Sequence, residues 1–122
     1  MNVLVDTSVW ADHFRRPEPQ LVALLDEGRV LIHAFVLGEL ALGNLRDRSS
    51  TLSALHWLTP AGRATDDEVL AFVDSAQLSG RGIGLIDVHL LAAARLTSES
   101  RLWTRDKRLA AAADELDLLY AE

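Results

Sequence analysis

Four short apolar runs, separated by segments with helical features, constrain most strongly how this chain folds. They lie at residues 3–5, 30–32, 102–104 and 118–120. The runs are too short for helices and are rich in residues that suit buried strands. Strands that alternate with helices form a parallel sheet with helices on its faces. The sequence therefore predicts an α/β fold.

The segments between these runs carry signals for helix ends. Thr65-Asp66-Asp67-Glu68 is a capping box that opens a helix through residue 77, and Gly28 closes a helix over residues 19–27. Further helices are predicted over residues 9–14, 34–45, 49–58, 85–96 and 107–113. No repeat, linker or low-complexity tract divides the chain, so we expect a single domain over residues 1–122.

The composition excludes several classes of protein. The chain has no cysteine, which excludes a disulfide framework, a thiol nucleophile and a Cys-based metal site. No apolar run approaches the roughly 18 residues of a membrane span, and the first residues lack the regions of a signal peptide. We therefore expect a cytoplasmic protein without a membrane partner.

The net charge of −6 argues at first against a nucleic-acid partner. It arises from 18 acidic and 12 basic residues. If four of the acids bind a metal ion, 14 acidic residues remain against 12 basic ones, a balance of −2. Net charge therefore does not exclude nucleic acid.

Two acidic residues stand apart because their surroundings are apolar. Glu39 is the only charged residue in the predicted helix 34–45, and Asp87 is the only acidic residue in the segment 82–94. On a helix, each projects from an apolar face. A buried carboxylate is costly unless it is neutralised, and a metal ion is one way to neutralise it.

Two further acids follow predicted strands and precede predicted helices. Asp6 comes directly after the first strand, and Asp106 follows the strand at residues 102–104. The carboxyl ends of parallel strands share one edge of a sheet, where ligands of α/β folds bind. We therefore expect both side chains at that edge.

Each of the four acids also has another interpretation. Asp6 and Asp106 are good helix caps, and the two helical acids have Arg81 and Arg95 as available ion-pair partners. These explanations must apply separately, whereas one metal site accounts for all four acids together. We therefore favour the metal site.

Carboxylates without cysteine, and without histidines at ligand spacing, favour Mg²⁺ or Mn²⁺ over zinc. Such a cation polarises a phosphate, lowers the pKa of a bound water and stabilises the departing oxygen. The sequence therefore predicts hydrolysis of phosphodiester bonds.

Four motifs follow one another along nearly the whole chain. They are VLVDTSVW at residues 3–10, the helical Glu39, GLIDVHLLAAA at residues 84–94 and LWTRD at residues 102–106. In this order and at this length, the set resembles the PIN-domain nucleases, most closely the VapC-like toxins of type II toxin–antitoxin systems. One departure is Leu109, where relatives often carry an aromatic residue.

The resemblance implies a three-layer α/β/α fold around a short parallel sheet. It implies an endoribonuclease that cuts an RNA such as tRNA or rRNA, with Mg²⁺ or Mn²⁺ as cofactor. The four acids would then be catalytic, Asp6 and Asp87 as the most direct metal ligands, Glu39 and Asp106 as groups that complete the pocket and position water. It also implies a cognate antitoxin, a homodimer and a toxin–antitoxin hetero-oligomer.

The resemblance suggests supporting roles for five other residues. Thr7, Ser8 and Thr104 lie where family members place small polar groups that orient carboxylates and waters, although Thr7 and Thr104 are equally good caps. Trp10 and Phe14 are candidates for the antitoxin contact, although such a pair is more often part of the core.

The remaining histidines, aromatics and basic residues receive simpler interpretations. We interpret all four histidines as structural, and Trp57 and Trp103 as packing residues. Basic residues near Asp106 and after the first helix are candidates for phosphate contacts, although a solvated helix face explains such a run more often. They are Arg15, Arg16, Arg101, Arg105, Lys107 and Arg108.

Other functions remain as alternatives. A receiver domain needs adjacent acids after the first strand, and a haloacid-dehalogenase-type phosphatase needs a second Asp two residues after the first. Thr7 and Ser8 occupy those positions, so both alternatives are weak. The stronger alternatives are a PIN-domain RNA-processing nuclease outside a toxin–antitoxin pair and a non-catalytic PIN-like binding scaffold.

Overall fold

The computed structural model describes residues 1–122 and has a four-stranded, entirely parallel sheet at its centre. Its strands are β1 (Asn2–Val5), β2 (Val30–Ile32), β3 (Thr59–Pro60) and β4 (Ser100–Trp103), in the spatial order β3-β2-β1-β4. The apolar run of β1 is fully buried because the strand lies between two neighbours and is covered on both faces.

Seven helices connect and flank the strands. They are α1 (Thr7–Arg15), α2 (Pro19–Asp26), α3 (Ala34–Leu42), α4 (Arg48–His56), α5 (Asp66–Ser75), α6 (Leu85–Leu96) and α7 (Lys107–Glu115). The predicted capping box forms, with Thr65 and Glu68 each accepting a backbone N–H hydrogen bond from the other. None of the seven helices is long and apolar enough to cross a lipid bilayer.

The helices and the sheet form the expected three-layer α/β/α arrangement. Helix α6 packs on β4 and α5, whereas α1 packs on α3 and α3 on α4. One cluster of 29 buried apolar residues joins these layers, with Trp10 and Trp103 as its largest members. The prediction for Trp57 is wrong, because this side chain follows the last turn of α4 and is 81 % exposed.

Most predicted elements differ from the structure by one or two residues at their ends, and three differences are larger. Helix α3 ends at Leu42 rather than residue 45, because Gly43 adopts an extended conformation. The predicted strand at residues 118–120 is only a single bridge, in which Leu102 exchanges two hydrogen bonds with Leu118 and Tyr120. Strand β3 was not predicted, since its two residues include a proline, which is confined to sheet edges or strand ends.

The strand order creates a crevice at one edge of the sheet. The chain steps outward from β1 to β2 and β3, and β4 then lies on the other side of β1. The direction of winding therefore reverses between β1 and β4, at the kind of position where α/β folds bind ligands. Asp6 follows β1 and residues 104–106 follow β4, so both segments lie at this crevice.

Candidate active site

Asp6 lies at the end of β1 and is held by three hydrogen bonds. Its Oδ1 accepts from the backbone N–H of Thr7 at 2.8 Å. Its Oδ2 accepts from the hydroxyls of Ser8 and Thr104, each at 2.8 Å. The residue is only 7 % exposed. A carboxylate with this many donors is held in one orientation by the chain itself.

Ser8 and Thr104 also connect Asp6 to the loop after β4. The Ser8 Oγ accepts from the backbone N–H of Arg105 at 3.0 Å, and the Thr104 Oγ1 accepts from that of Asp106 at 3.1 Å. Each hydroxyl has one proton, which it donates to Asp6, and accepts with its lone pairs. Ser8 and Thr104 therefore connect the ends of β1 and β4 through hydrogen bonds.

Asp106 directly precedes α7 and is its N-cap. Its Oδ1 accepts from the backbone N–H of Leu109 at 3.0 Å, and the residue is exposed. The N-cap interpretation of Asp6 and Asp106 is confirmed. It does not conflict with a role at the site, because both caps lie at the same crevice.

Asp87 lies in the first turn of α6, where its Oδ2 accepts from the backbone N–H of Gly84 at 2.9 Å. Burial raises the pKa of this carboxyl above its ordinary value, against the effect of the Gly84 hydrogen bond. Repulsion from Asp6, Asp106 and Glu39 raises the pKa further. Asp87 therefore lies within electrostatic range of the other three predicted site acids.

Glu39 reaches the same site from α3. Its Oε1 accepts from the Thr7 hydroxyl at 2.8 Å. Thr7 thus orients a carboxylate rather than capping α1, which Asp6 does. The expectation that Glu39 is buried on an apolar face is wrong: it is exposed, because its stretch of α3 lies at the molecular surface, where Leu42 is also exposed.

The arginine alternatives for the helical acids are wrong. Arg81 pairs with Glu115 at 2.8 Å, and Arg95 lies over the ring of Phe72. None of the four site acids forms a salt bridge with a basic residue of the chain. Their negative charge is therefore not neutralised within the protein.

The oxygen atoms of the four site acids suit a hard cation that keeps several waters better than a cation that the protein coordinates completely. No three acidic or histidine side chains are close enough to hold a metal ion directly between them. Mg²⁺ is held by few carboxylates and keeps several waters, so it does not require such a group. Carboxylate and hydroxyl oxygens with unneutralised charge fit this chemistry, and the chain has no thiolate that would favour zinc.

Comparison with known proteins identifies the family. A family model described as PIN domain matches residues 3–115. The chain belongs to the PIN-domain family. Ribonuclease VapC32 of Mycobacterium tuberculosis, strains CDC 1551 / Oshkosh and ATCC 25618 / H37Rv, is 44 % identical to this PIN domain over 120 residues. That alignment covers 98 % of this chain and 97 % of the relative.

A solved structure shows the same fold for this PIN domain. The crystal structure of PAE2754 from Pyrobaculum aerophilum matches it with a TM-score of 0.61 at 20 % sequence identity. The match covers 93 % of this chain and 85 % of that chain. The predicted PIN fold and the resemblance to VapC-like proteins are confirmed.

Residues proposed for partner contacts differ in their exposure. Trp10 is a core residue at 2 % exposure, whereas Phe14, stacked on it, is 37 % exposed. Phe14 lines an apolar groove of about 300 Å³ between α1 and α4 and a larger, mixed groove of about 790 Å³. The larger groove contains Thr7 and Glu39, so it is continuous with the acidic site.

The basic residues near the site are not equally available to a phosphate. Arg101 pairs with Asp117 at 3.2 Å, and Arg105 is held by three carboxylates. The exposed members of the predicted set are Arg15, Arg16, Lys107 and Arg108. The sequence showed the basic run but not the acids that engage part of it.

Proposed function

We propose that this PIN domain is a metal-dependent endoribonuclease that hydrolyses RNA phosphodiester bonds with Mg²⁺ or Mn²⁺. The observation that carries the proposal is the placement of four carboxylates at one crevice, where Thr7 links Asp6 to Glu39 and Thr104 links Asp6 to the loop of Asp106. Asp87 lies within electrostatic range of the other three, and none of the four forms a salt bridge with a basic residue of the chain. Proteins keep such acids together when a divalent cation balances their charge. The likeness to a protein named as a ribonuclease supports RNA as the substrate.

Within this proposal the position of each acid determines its role. Asp6 and Asp87 would hold the metal ion, Asp6 because three hydrogen bonds fix its direction and Asp87 because it lies within electrostatic range of the other three acids. Glu39 and Asp106, both exposed, orient the attacking water and receive its proton. A bound divalent ion would supply the polarisation of the phosphate and the lower pKa of that water. Thr7 holds Glu39 in place through its hydroxyl.

Removal of the metal ion tests the proposal directly. The purified protein is expected to cleave RNA in the presence of Mg²⁺ or Mn²⁺, to stop when EDTA is added, and to resume when the metal is restored in excess. Fragment formation on a denaturing gel measures the effect. Cleavage that continues unchanged in EDTA would contradict the metal assignment, and a complete absence of cleavage with either ion would contradict the nuclease itself.

We further propose that the protein is the toxin of a cytoplasmic toxin–antitoxin pair, forms a homodimer, and cuts tRNA or rRNA. The resemblance to VapC-like proteins supports this role. A cognate antitoxin would bind the apolar groove that Trp10 and Phe14 line between α1 and α4. Occupation of the adjoining larger groove would place the antitoxin beside Glu39 and block access to the site.

Expression in a bacterial host tests the toxin role. The wild-type protein alone is expected to arrest growth, and co-expression of a small DNA-binding protein encoded beside its gene is expected to restore growth. Colony counts after induction measure both effects. Normal growth despite active enzyme in the lysate would instead favour an RNA-processing nuclease outside a toxin–antitoxin pair.

A further inference from the structure

Arg105 is the middle residue of the loop that carries two groups of the site. Its neighbours are Thr104, which donates to Asp6, and Asp106, which caps α7. Its own backbone N–H donates to Ser8, which in turn donates to Asp6. Both of the hydroxyls that orient Asp6 thus depend on the position of this loop.

The Arg105 side chain is bound by three carboxylates from different segments. Its Nη1 donates to Asp12 of α1 at 2.9 Å, and its Nη2 donates to Glu18, just before α2, at 2.6 Å. Its Nε donates to Glu122 at 2.7 Å, and the same oxygen of Glu122 accepts from Trp103. The guanidinium therefore joins the first helix, the start of the second and the C-terminal segment.

This arrangement uses a property that is specific to arginine. Its planar guanidinium presents donors in fixed directions, and each of its three nitrogens here engages a separate acid. A lysine ammonium carries the same charge but lacks that fork. The three acids also raise the pKa of Arg105, so the side chain stays charged throughout the working range. Fully engaged in this way, it does not serve as a free phosphate-binding group.

We propose that Arg105 is a positioning residue for the nuclease reaction, which holds the loop 104–106 so that Ser8 and Thr104 keep their hydrogen bonds to Asp6. This inference rests on the proposed function, because the loop matters for catalysis only if Asp6 does. Arg105 touches neither the phosphate nor the metal ion. It acts through the backbone N–H that Ser8 accepts and through the residues on either side of it.

Steady-state kinetics of three variants test the proposal. Arg105→Gln is expected to lower kcat by about 10- to 100-fold, the usual effect of losing a group that orients a metal ligand, while KM changes by less than about twofold. Arg105→Lys is expected to recover only a small part of the loss. The matched control is Arg29→Gln, which removes an ion pair with Glu27 ahead of β2 and has no contact to the site, and it should leave kcat unchanged.

Amide hydrogen exchange supplies a readout that does not depend on activity. In Arg105→Gln, the amides at positions 105 and 106 should exchange at least about 10-fold faster, since their acceptors are the two hydroxyls. The amides of β1 should be unchanged.

Several results would overturn the proposal. They are unchanged exchange at positions 105 and 106, unchanged kcat despite faster exchange, a loss confined to KM, or full recovery by Arg105→Lys. If the wild-type protein does not cleave RNA at all, the proposed function fails instead, and the exchange measurement still decides whether Arg105 holds the loop.

Discussion

Asp6→Asn and Asp87→Asn are each expected to lower RNA cleavage by at least about 100-fold, the scale of losing one preorganised electrostatic group in an active site. Each substitution removes one negative charge from the set that we propose to bind the metal ion. The shape of the side chain is unchanged, so the loss reports on charge. Initial rates of cleavage of a labelled RNA at saturating Mg²⁺ measure the effect.

The fold of both variants should survive. Asn caps a helix about as well as Asp, and the hydroxyls of Ser8 and Thr104 are able to rotate and accept from an amide instead of donating to a carboxylate. Circular dichroism and thermal unfolding check this point. Asp26→Asn, at an exposed acid of α2 outside the site, is the matched control. Full activity in both site variants would refute the metal site.

The free energy of unfolding is expected to fall by about 3 kcal/mol between pH 6.5 and pH 4 because of His33 alone. Burial is the main reason why the pKa of His33 is lowered from 6.5 to about 4, and the charges of Arg63 and His89 lower it further. The folded protein therefore stays neutral at His33 where the unfolded chain binds a proton. Stability is complete above pH 6.5 and is lost as the pH falls towards 4.

A variant that keeps the helix cap isolates this effect from the titration of carboxyl groups. The His33 Nδ1 caps α3 by accepting from the backbone N–H of Phe35 at 3.0 Å, and its Nε2 is buried without a partner. His33→Asn keeps an acceptor at the cap but does not titrate. Urea unfolding at several pH values should show a shallower acid loss in this variant, whereas His56→Asn, at an exposed histidine, should match the wild type. Equal slopes in all three proteins would refute the assignment.

The sequence predicted the strands of the sheet better than its edges. β1 and β2 are apolar and lie inside the sheet, so their composition predicts them as strands. The edge strand β3 consists of Thr59 and Pro60 and carries no such signal. The apolar run at residues 118–120 does carry the signal, but only Leu102 offers it hydrogen bonds. Pairing with a neighbour is a tertiary property that local pattern does not encode.

For the candidate site, too, the sequence predicted some features and missed others. The positions of Asp6 and Asp106 after strands predicted their shared edge. The apolar neighbours of Glu39 marked it as a candidate for the site but predicted the wrong environment, because this part of α3 is exposed. The three acids around Arg105 come from distant parts of the chain, so no sequence pattern revealed them.

Three of the four site acids also satisfy backbone N–H groups at the beginnings of helices: Asp6 for α1, Asp87 for α6 and Asp106 for α7. These carboxylate oxygens therefore stabilise the helix ends whether or not a metal ion is bound, and the amide of an Asn would do so nearly as well. One base change from an Asp to an Asn codon would therefore remove the proposed reaction and keep the fold. Catalytically inactive variants should therefore arise readily and stay folded, so that they could keep functions that require binding alone.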